Sequence, residues 1–433
     1  MKKLTSYSTL FALLLTPAVA FGDQQPLYWK TGSYRDREPR FERNWLSTFL
    51  INVQGGGTSK GYQIKDALDS AASDTKTTSL LNMYGFQNFQ FLGANIVGNP
   101  AGNLFNTALS ELNQAPTNGY FGYVKYSGKF SYAEVDLYYA QNFCKGFFAD
   151  LFIPFMYTNT KDVAFVDQTP GTGDPNINRA EWQYLLNNLT AGLAQYNLAA
   201  SDYSKGGIGD IIINVGWTMS NEDLSESIDF LDTTIKVGVN IPSGFKKNQD
   251  EAFSIAAGYD GHTGIPLSFD AAVGFCDWVT LGMHVGGIFF VSKTIEDLRM
   301  KTSVAQNGYI KLGQGEAKRD MGNIFDAGAY VKADHIFKGL SLSFAYMYAK
   351  QSSSSLTATD TAVFPTAIIN TDTMLSKWFY NAITVALEYD FAKEGRRTNP
   401  MLGVFYSQPV SGRNVYKTMT GGGYLGVNVA WDF

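Results

Sequence analysis

Hydrophobic and polar residues alternate one by one along most of this chain. In the last segment Leu425, Val427, Val429, Trp431 and Phe433 fall on one side, and Tyr424, Gly426, Asn428, Ala430 and Asp432 on the other. Successive side chains of an extended strand point to opposite faces, so this period predicts strands with one apolar face and one small or polar face. The alternation recurs in 208–218, 230–240, 267–276, 279–290, 324–334, 339–351 and 379–391, and less regularly in 45–55, 130–143, 147–158 and 400–409. Together these make twelve strands. Adding 80–91 and 119–127 would make fourteen. Twelve is preferred, because 92–118 contains a helix-like run, Leu104 to Leu112, that makes an awkward short turn.

The connections fall into two classes. Cys144-Lys145-Gly146, Cys276-Asp277-Trp278 and His335 to Lys338 are short, and Met219 to Ile228 and Ala392 to Thr398 are moderate. Gly56 to Gly128, Asn159 to Gly206, Ile241 to Pro266, Ser292 to Gly322 and Ser352 to Lys377 are long and polar. If strands run alternately up and down, every short turn lands at one end and every long loop at the other. This predicts an all-β, antiparallel, up-and-down transmembrane barrel with periplasmic turns and extracellular loops. A secreted sandwich or propeller also alternates, but it turns its polar face outward and must protect its edge strands. Trp217, Trp278, Tyr389 and Trp431, near strand ends, suit an aromatic girdle at the membrane interface instead. One long loop has a different period: Trp182, Leu185, Leu186, Leu189, Leu193 and Tyr196 recur at helical spacing within Asn178 to Leu198, which predicts an amphipathic helix at the barrel mouth.

Composition agrees with this picture. The 433 residues are 15 % aromatic, include 43 Gly, and are only 17 % charged, against roughly 25 % in ordinary soluble domains. Such a chain is not disordered, and its net charge of −5 argues against nucleic acid as a partner. The mean hydropathy of −0.12 is too polar for a bundle of membrane helices. Met1 to Gly22 reads as a secretory signal, with Lys2 and Lys3, an apolar core from Leu10 to Leu15, and a small-residue cleavage zone at Ala18-Val19-Ala20. Residues 23–43 then form a periplasmic tail or a plug inside the barrel, and 44–433 form the barrel itself. Cys144 and Cys276 fall on periplasmic turns four strands apart, roughly 20 Å from each other, so two unpaired thiols are expected.

Tyr424 to Phe433, alternating and ending in an aromatic residue, resembles the C-terminal assembly signature of bacterial outer-membrane proteins. That resemblance implies outer-membrane lipid as surroundings and the barrel assembly machinery as a partner for the strand ending at Phe433. Gly207-Ile208-Gly209-Asp210 opens one strand, and Val239-Asn240-Ile241-Pro242-Ser243-Gly244 closes the next. Both are similar to motifs of outer-membrane channels for hydrophobic compounds, the FadL-like transporters and the related barrels of phenol-degradation operons. Asn99-Pro100-Ala101-Gly102 is similar to a motif of the FadL hatch, although it lies further from the N-terminus than a hatch motif does. The resemblance implies passive or ligand-gated uptake of small apolar molecules.

No catalytic constellation is read from the sequence. The three histidines fall in an outer loop (His262), on an inward face (His284) and at a periplasmic turn (His335), too far apart to act together. No cofactor or metal is implied. The inward faces carry the most informative polar set: Glu134, Asp136, Asp150, Asp210, Asp232, Asp270, Asp326, Asp334, Glu388, Asp390 and Asp432, against Lys236, Lys332 and His284. A carboxylate-rich wall attracts cations. Two expectations follow: a weakly cation-selective pore, or an interior in which these acids solvate a plug or pair with Arg35, Arg37, Arg40 and Arg43 of the N-terminal segment. The function expected is a channel for small molecules, hydrophobic compounds or cations. The alternative is a structural or adhesion barrel with a filled lumen.

Overall fold

The structure, a computed structural model, describes residues 45–62, 77–89, 91–92, 122–168, 180–276, 278–337, 339–391 and 397–431. The signal segment, the 23–43 segment with its arginines, Leu104 to Leu112, the 99–102 motif, Asp432 and Phe433 lie outside the described residues. The alternating segments form one closed antiparallel barrel of twelve strands. They are β1 (Leu46–Thr58), β2 (Tyr123–Asn142), β3 (Phe147–Asp167), β4 (Ile211–Ser225), β5 (Ile228–Ile241) and β6 (Gly264–Phe275), then β7 (Val279–Phe290), β8 (Ile324–Phe337), β9 (Leu340–Gln351), β10 (Trp378–Asp390), β11 (Thr398–Arg413) and β12 (Met419–Ala430). Each strand pairs with its sequence neighbours. The seam closes in register between β1 and β12, with Leu46 opposite Ala430 and Gly57 opposite Met419. Closure leaves no open edge in the membrane, where an unpaired backbone group has no water to bond.

The fourteen-strand variant is corrected. Leu80–Asn82 form a turn of 3-10 helix, and only Gln87–Asn88 add to the sheet there, while 119–127 is absorbed into the start of β2. The connection expected over Met219 to Ile228 is also tighter than the pattern suggested. β4 runs on to Ser225, and an irregularity in the β4–β5 register between Glu222 and Ser225 interrupts the alternation that would have marked it. Cys144 and Cys276 are both free and exposed at turns of the same end.

Outward residues are large, apolar and exposed: Phe49, Ile51 and Val53 on β1, Val215 and Trp217 on β4, Val404 and Tyr406 on β11. Together they form the apolar band that lipid covers in a spanning barrel. Trp45, Phe143, Phe147, Trp217, Trp278 and Trp431 ring its short-turn end, and all are exposed. The chain is an outer-membrane-type β-barrel.

Inside, glycine and aromatic residues pair across strands. Gly216 lies opposite Phe148, Gly274 opposite Phe230, Gly282 opposite Tyr330, Gly403 opposite Tyr424 and Gly422 opposite Phe405. In each pair the ring covers its glycine: a Cβ on Gly282 or on Gly403 would lie 2.1 Å from the ring of Tyr330 or Tyr424. The glycine therefore provides the floor on which the ring lies flat, a known device for packing sheet interiors.

The long loops fold inward. The largest apolar cluster joins Leu80, Met83, Tyr84 and Phe89 of the first loop to Trp182, Leu185, Leu189 and Leu193 of the second. It also takes in Phe253 and Ile255 of the third, Tyr309 and Ile310 of the fourth, and the inner faces of β2 and β3. The helical period of the second loop is realised as α1 (Ala180–Asn187) and α2 (Leu189–Ala194), whose buried face is part of this cluster. A separate three-stranded sheet, Lys293–Arg299, Gln314–Asp320 and Ser355–Ala358, stands above the barrel on its own apolar core.

Candidate functional site in the barrel lumen

The inward polar residues form bonded groups, not isolated charges. On β1 and β2, Asn52 Nδ2 donates to Asp136 at 2.9 Å, and Gln54 Nε2 donates to Asp136 at 3.1 Å and to Glu134 at 3.3 Å. Both carboxylates are buried. Asp150 on β3 accepts from Asn214 Nδ2 on β4 at 2.7 Å, and Asp232 accepts from Ser220. Lys332 reaches Asp334 at 2.7 Å and Glu388 at 3.5 Å, while Thr280 and Tyr424 donate to Asp334 and Glu388, each at 2.8 Å. Asp390 lies at the periplasmic end of β10, where its N–H donates to Gly339 O.

His284 is held by two strands at once. Its Nδ1 is 2.5 Å from Asp270 Oδ1, and its Nε2 is 2.8 Å from Asp326 Oδ2. Cross-strand register explains this: Asp270 is directly opposite His284, and Asp326 is two positions along the neighbouring strand. Each ring nitrogen thus faces a carboxylate, which fixes the plane of the imidazole between the two strands. His262 sits elsewhere, fully buried in the third loop, where Nδ1–H donates to Tyr259 O at 3.0 Å. Burial, aided by the Arg319 charge, lowers its pKa to about 4. His335 lies near the periplasmic end of β8.

Asp210 differs from the other acids. It is not on a strand but just before β4, and it is 4 % exposed. Its carboxylate accepts from Gly244 N at 2.9 Å, Tyr259 N at 2.8 Å and Asn240 Nδ2 at 3.2 Å. Ser243 Oγ donates to Gly209 O at 2.8 Å, and Ile211 N donates back to Ser243 Oγ at 3.0 Å. The two short motifs singled out in the sequence are therefore one structure: the first supplies the carboxylate and the second wraps around it. Gly244 and Gly258 are required here, since a Cβ at Gly258 would lie 2.3 Å from Asp210 and that residue has φ +96°. Asp210 thereby fixes the third loop inside the barrel.

Between this loop and the wall lies a cavity of about 220 Å³. Its outer part is apolar and aromatic, with Tyr84, Phe253, Ile255, Tyr309, Met374 and Tyr416 from the loops facing Phe152, Pro154 and Met156 from β3. Its inner part is polar, with Asp150, Asn214, Lys236, His284 and Asp326. Lys247 and Arg319 line one side. Arg319 Nη1 binds Asp260 at 3.0 Å, and the same carboxylate accepts Lys247 N at 2.8 Å. Desolvation, and the charges of Lys311 and Arg319, lower the Lys247 pKa to about 8, although Asp260 and Asp372 oppose this.

The cavity brings together Asp150, Asp210, Lys236, His284 and Asp326 of the expected lumen set. Glu134, Asp136, Asp232, Asp270, Lys332 and Glu388 are not among its lining residues. Strand alternation missed the loop contributors, Lys247, Arg319, Phe253, Tyr309 and Met374. Only the length and aromatic content of the loops hinted at them.

No protein-family model matches this chain, and no curated protein is similar to it. Among solved structures it is similar to the COG4313 outer membrane channel from Pseudomonas putida F1, at 11 % identity and TM-score 0.46 over 93 % of this chain and 100 % of that one. It is also similar to the toluene transporter TodX of Pseudomonas putida, at 10 % identity and TM-score 0.29 over 94 % and 95 % of the two chains. A third likeness is to the toluene transporter TbuX of Ralstonia pickettii, at 8 % identity and TM-score 0.33 over 96 % of each chain.

Proposed function

We propose that this barrel is a passive outer-membrane channel for small solutes with an apolar body, closed at rest by its own loops. The observation that carries this reading is the cavity of about 220 Å³ inside the lumen, apolar and aromatic in its outer part and polar in its inner part. Such a pocket accepts the apolar part of a small molecule and hydrogen-bonds one polar end. A solute entering from outside would displace part of the loop cluster, then meet the polar wall. No chemistry is assigned. The placement of His284 between two carboxylates and of His262 in a separate loop supports a role without catalysis.

The inward packing of the loops favours a second reading, a structural or adhesion barrel with a filled lumen. Uptake of a small radiolabelled aromatic hydrocarbon and of maltose into proteoliposomes separates the two. Under the channel reading the hydrocarbon enters faster than through protein-free vesicles and maltose does not. Ala256→Trp, which fills the cavity from the loop side, lowers hydrocarbon entry by about tenfold, the loss of some 1.4 kcal/mol of pocket binding. Entry equal to that of empty vesicles, with no single-channel conductance, sinks the channel reading and leaves the structural one.

A further inference from the structure

Lys247 carries a charge that the packed loops leave uncompensated. Its side chain, from the third loop, lines the cavity described above and also a second, smaller one of about 30 Å³ between the loops. Tyr309, Met374 and Arg319 line both cavities too, so this wall is common to them. The charges that act on Lys247 are Lys311 and Arg319 against Asp260 and Asp372, with Lys311 the largest. Both acids are engaged at each oxygen. Asp260 Oδ1 accepts from Lys247 N at 2.8 Å, and its Oδ2 accepts from Arg319 Nη1 at 3.0 Å. Asp372 Oδ1 accepts from Met374 N at 3.0 Å, and its Oδ2 pairs with Lys311 Nζ. Among the described residues the Lys247 ammonium has no ion pair and no hydrogen bond. Three cations therefore share two acids, and Lys247 holds the surplus. The other charged residues of the second cavity, Arg299 and Glu251, are opposite in sign and leave that balance unchanged.

A charge withdrawn from water without a partner is costly, and an arriving anion relieves the cost. Desolvation, with Lys311 next, lowers the Lys247 pKa to about 8, so the group is mostly protonated at neutral pH. The surroundings decide which anion fits. Tyr309 and Met374 share its wall, and Tyr84, Phe253 and Tyr416 line the first cavity. A hydrated inorganic ion gains nothing from these side chains, whereas an apolar body does. One surplus positive charge matches one negative charge. The inner part of the cavity sets the orientation. There Asp150 and Asp326 stand against Lys236 and His284 with no surplus cation, so an anionic end is directed to Lys247.

We propose that the cavity binds a small aromatic monoanion, its charged group against Lys247 Nζ and its ring among Phe253, Tyr309 and Met374. The ammonium gives an anion a charge-assisted hydrogen bond about twice as strong as a neutral solute receives. This inference rests on the channel reading and names the polar end of the solute, with Lys247 as the residue that sets specificity.

Calorimetric titration of the full chain in nanodiscs with 4-ethylbenzoate, and with its neutral analogue 4-ethylbenzamide, tests it once the heats of empty nanodiscs are subtracted. Wild type binds the carboxylate about tenfold or more tighter than the amide. Lys247→Met keeps the length of the side chain, removes its charge and brings that ratio close to one, whereas Lys161→Met at an exposed loop position keeps the ratio. A second reading needs no variant to fold: in wild type the affinity for the carboxylate falls as pH rises past about 8 and Lys247 loses its proton, while that for the amide holds. Equal affinity of wild type for the two compounds, a carboxylate preference that survives Lys247→Met, or a preference indifferent to pH would each overturn the proposal. Complete competition by millimolar inorganic phosphate would do so too, by marking a site for a free anion. Hydrocarbon entry into proteoliposomes separates this failure from that of the channel reading. Entry without a carboxylate preference removes only the anion subsite, and the absence of both entry and binding removes both readings.

Discussion

At the scale of single residues, two loop groups decide how firmly the third loop stays in the barrel. Asp210 offers two carboxylate oxygens to three donors, Gly244 N, Tyr259 N and Asn240 Nδ2. Asp210→Asn keeps the shape but presents an NH₂ to at least one of those donors, at a cost on the order of 3 kcal/mol. The variant is expected to form a barrel that shifts normally on unheated gels yet is cut by protease within 242–263, where wild type resists. His262 gives the same loop a pH dependence. Its folded pKa of about 4 lies below the ordinary 6.5, so below pH 6.5 the unfolded loop takes up a proton that the folded loop refuses. Stability therefore rises with pH between about 4 and 6.5 and is lost as pH falls through that window, by on the order of 2–3 kcal/mol. Hydrogen exchange should show the amides of 255–263 opening on acidification in wild type and much less in His262→Gln. Equal acid sensitivity in both would remove His262 from this role.

At the scale of elements, the interior of the wall depends on flat rings lying on glycines. Gly403→Ala puts a methyl into the ring of Tyr424 and pulls its hydroxyl from Glu388, now 2.8 Å away. The expected loss is about 1–3 kcal/mol in a urea unfolding titration of the refolded barrel. Gly421→Ala, whose nearest neighbour would be 3.9 Å away, serves as the control and should change little. These pairs also show what could be read from the chain. Period two disclosed all twelve strands, because one face of each meets lipid and the other the lumen, and no other environment imposes that contrast so steadily. It failed where the contrast lapses, as at the irregular end of β4 near Glu222, and where 3-10 helix replaces strand at Leu80–Asn82. The lumen acids were readable for the same reason as the strands. The partners that neutralise them were not, since cross-strand register, which sets His284 between Asp270 and Asp326, is not written in either strand alone. Lys247 and the aromatic lid escaped notice because loop residues have no period to betray which way they face.

At the scale of the whole molecule, the acidic lumen and the cationic loops make two successive fields along one axis. Near the mouth, Lys247, Arg319 and Lys311 stand around the cavity and its neighbour. Deeper in, the described lumen holds Glu134, Asp136, Asp150 and Asp326 as buried carboxylates, with Lys236 and Lys332 as opposing cations and His284 set between Asp270 and Asp326. Most of these acids are hydrogen-bonded to amides and hydroxyls, which orient a carboxylate without cancelling its charge. The Glu134–Asp136 pair, bound by Asn52 and Gln54, contributes to the field on its side of the wall. Whenever the loops admit ions, the reversal potential across a planar bilayer under a potassium chloride gradient should favour potassium. The preference should weaken towards molar salt, where the screening length falls to about 3 Å. Glu134→Gln/Asp136→Asn should move the reversal potential towards zero while leaving the barrel folded, since each amide can still bond its neighbours. Anion preference in wild type would mean that the cationic mouth, not the acidic wall, sets selectivity. An unchanged potential in the double variant would move the controlling charge to the side of the wall that carries Asp150 and Asp326.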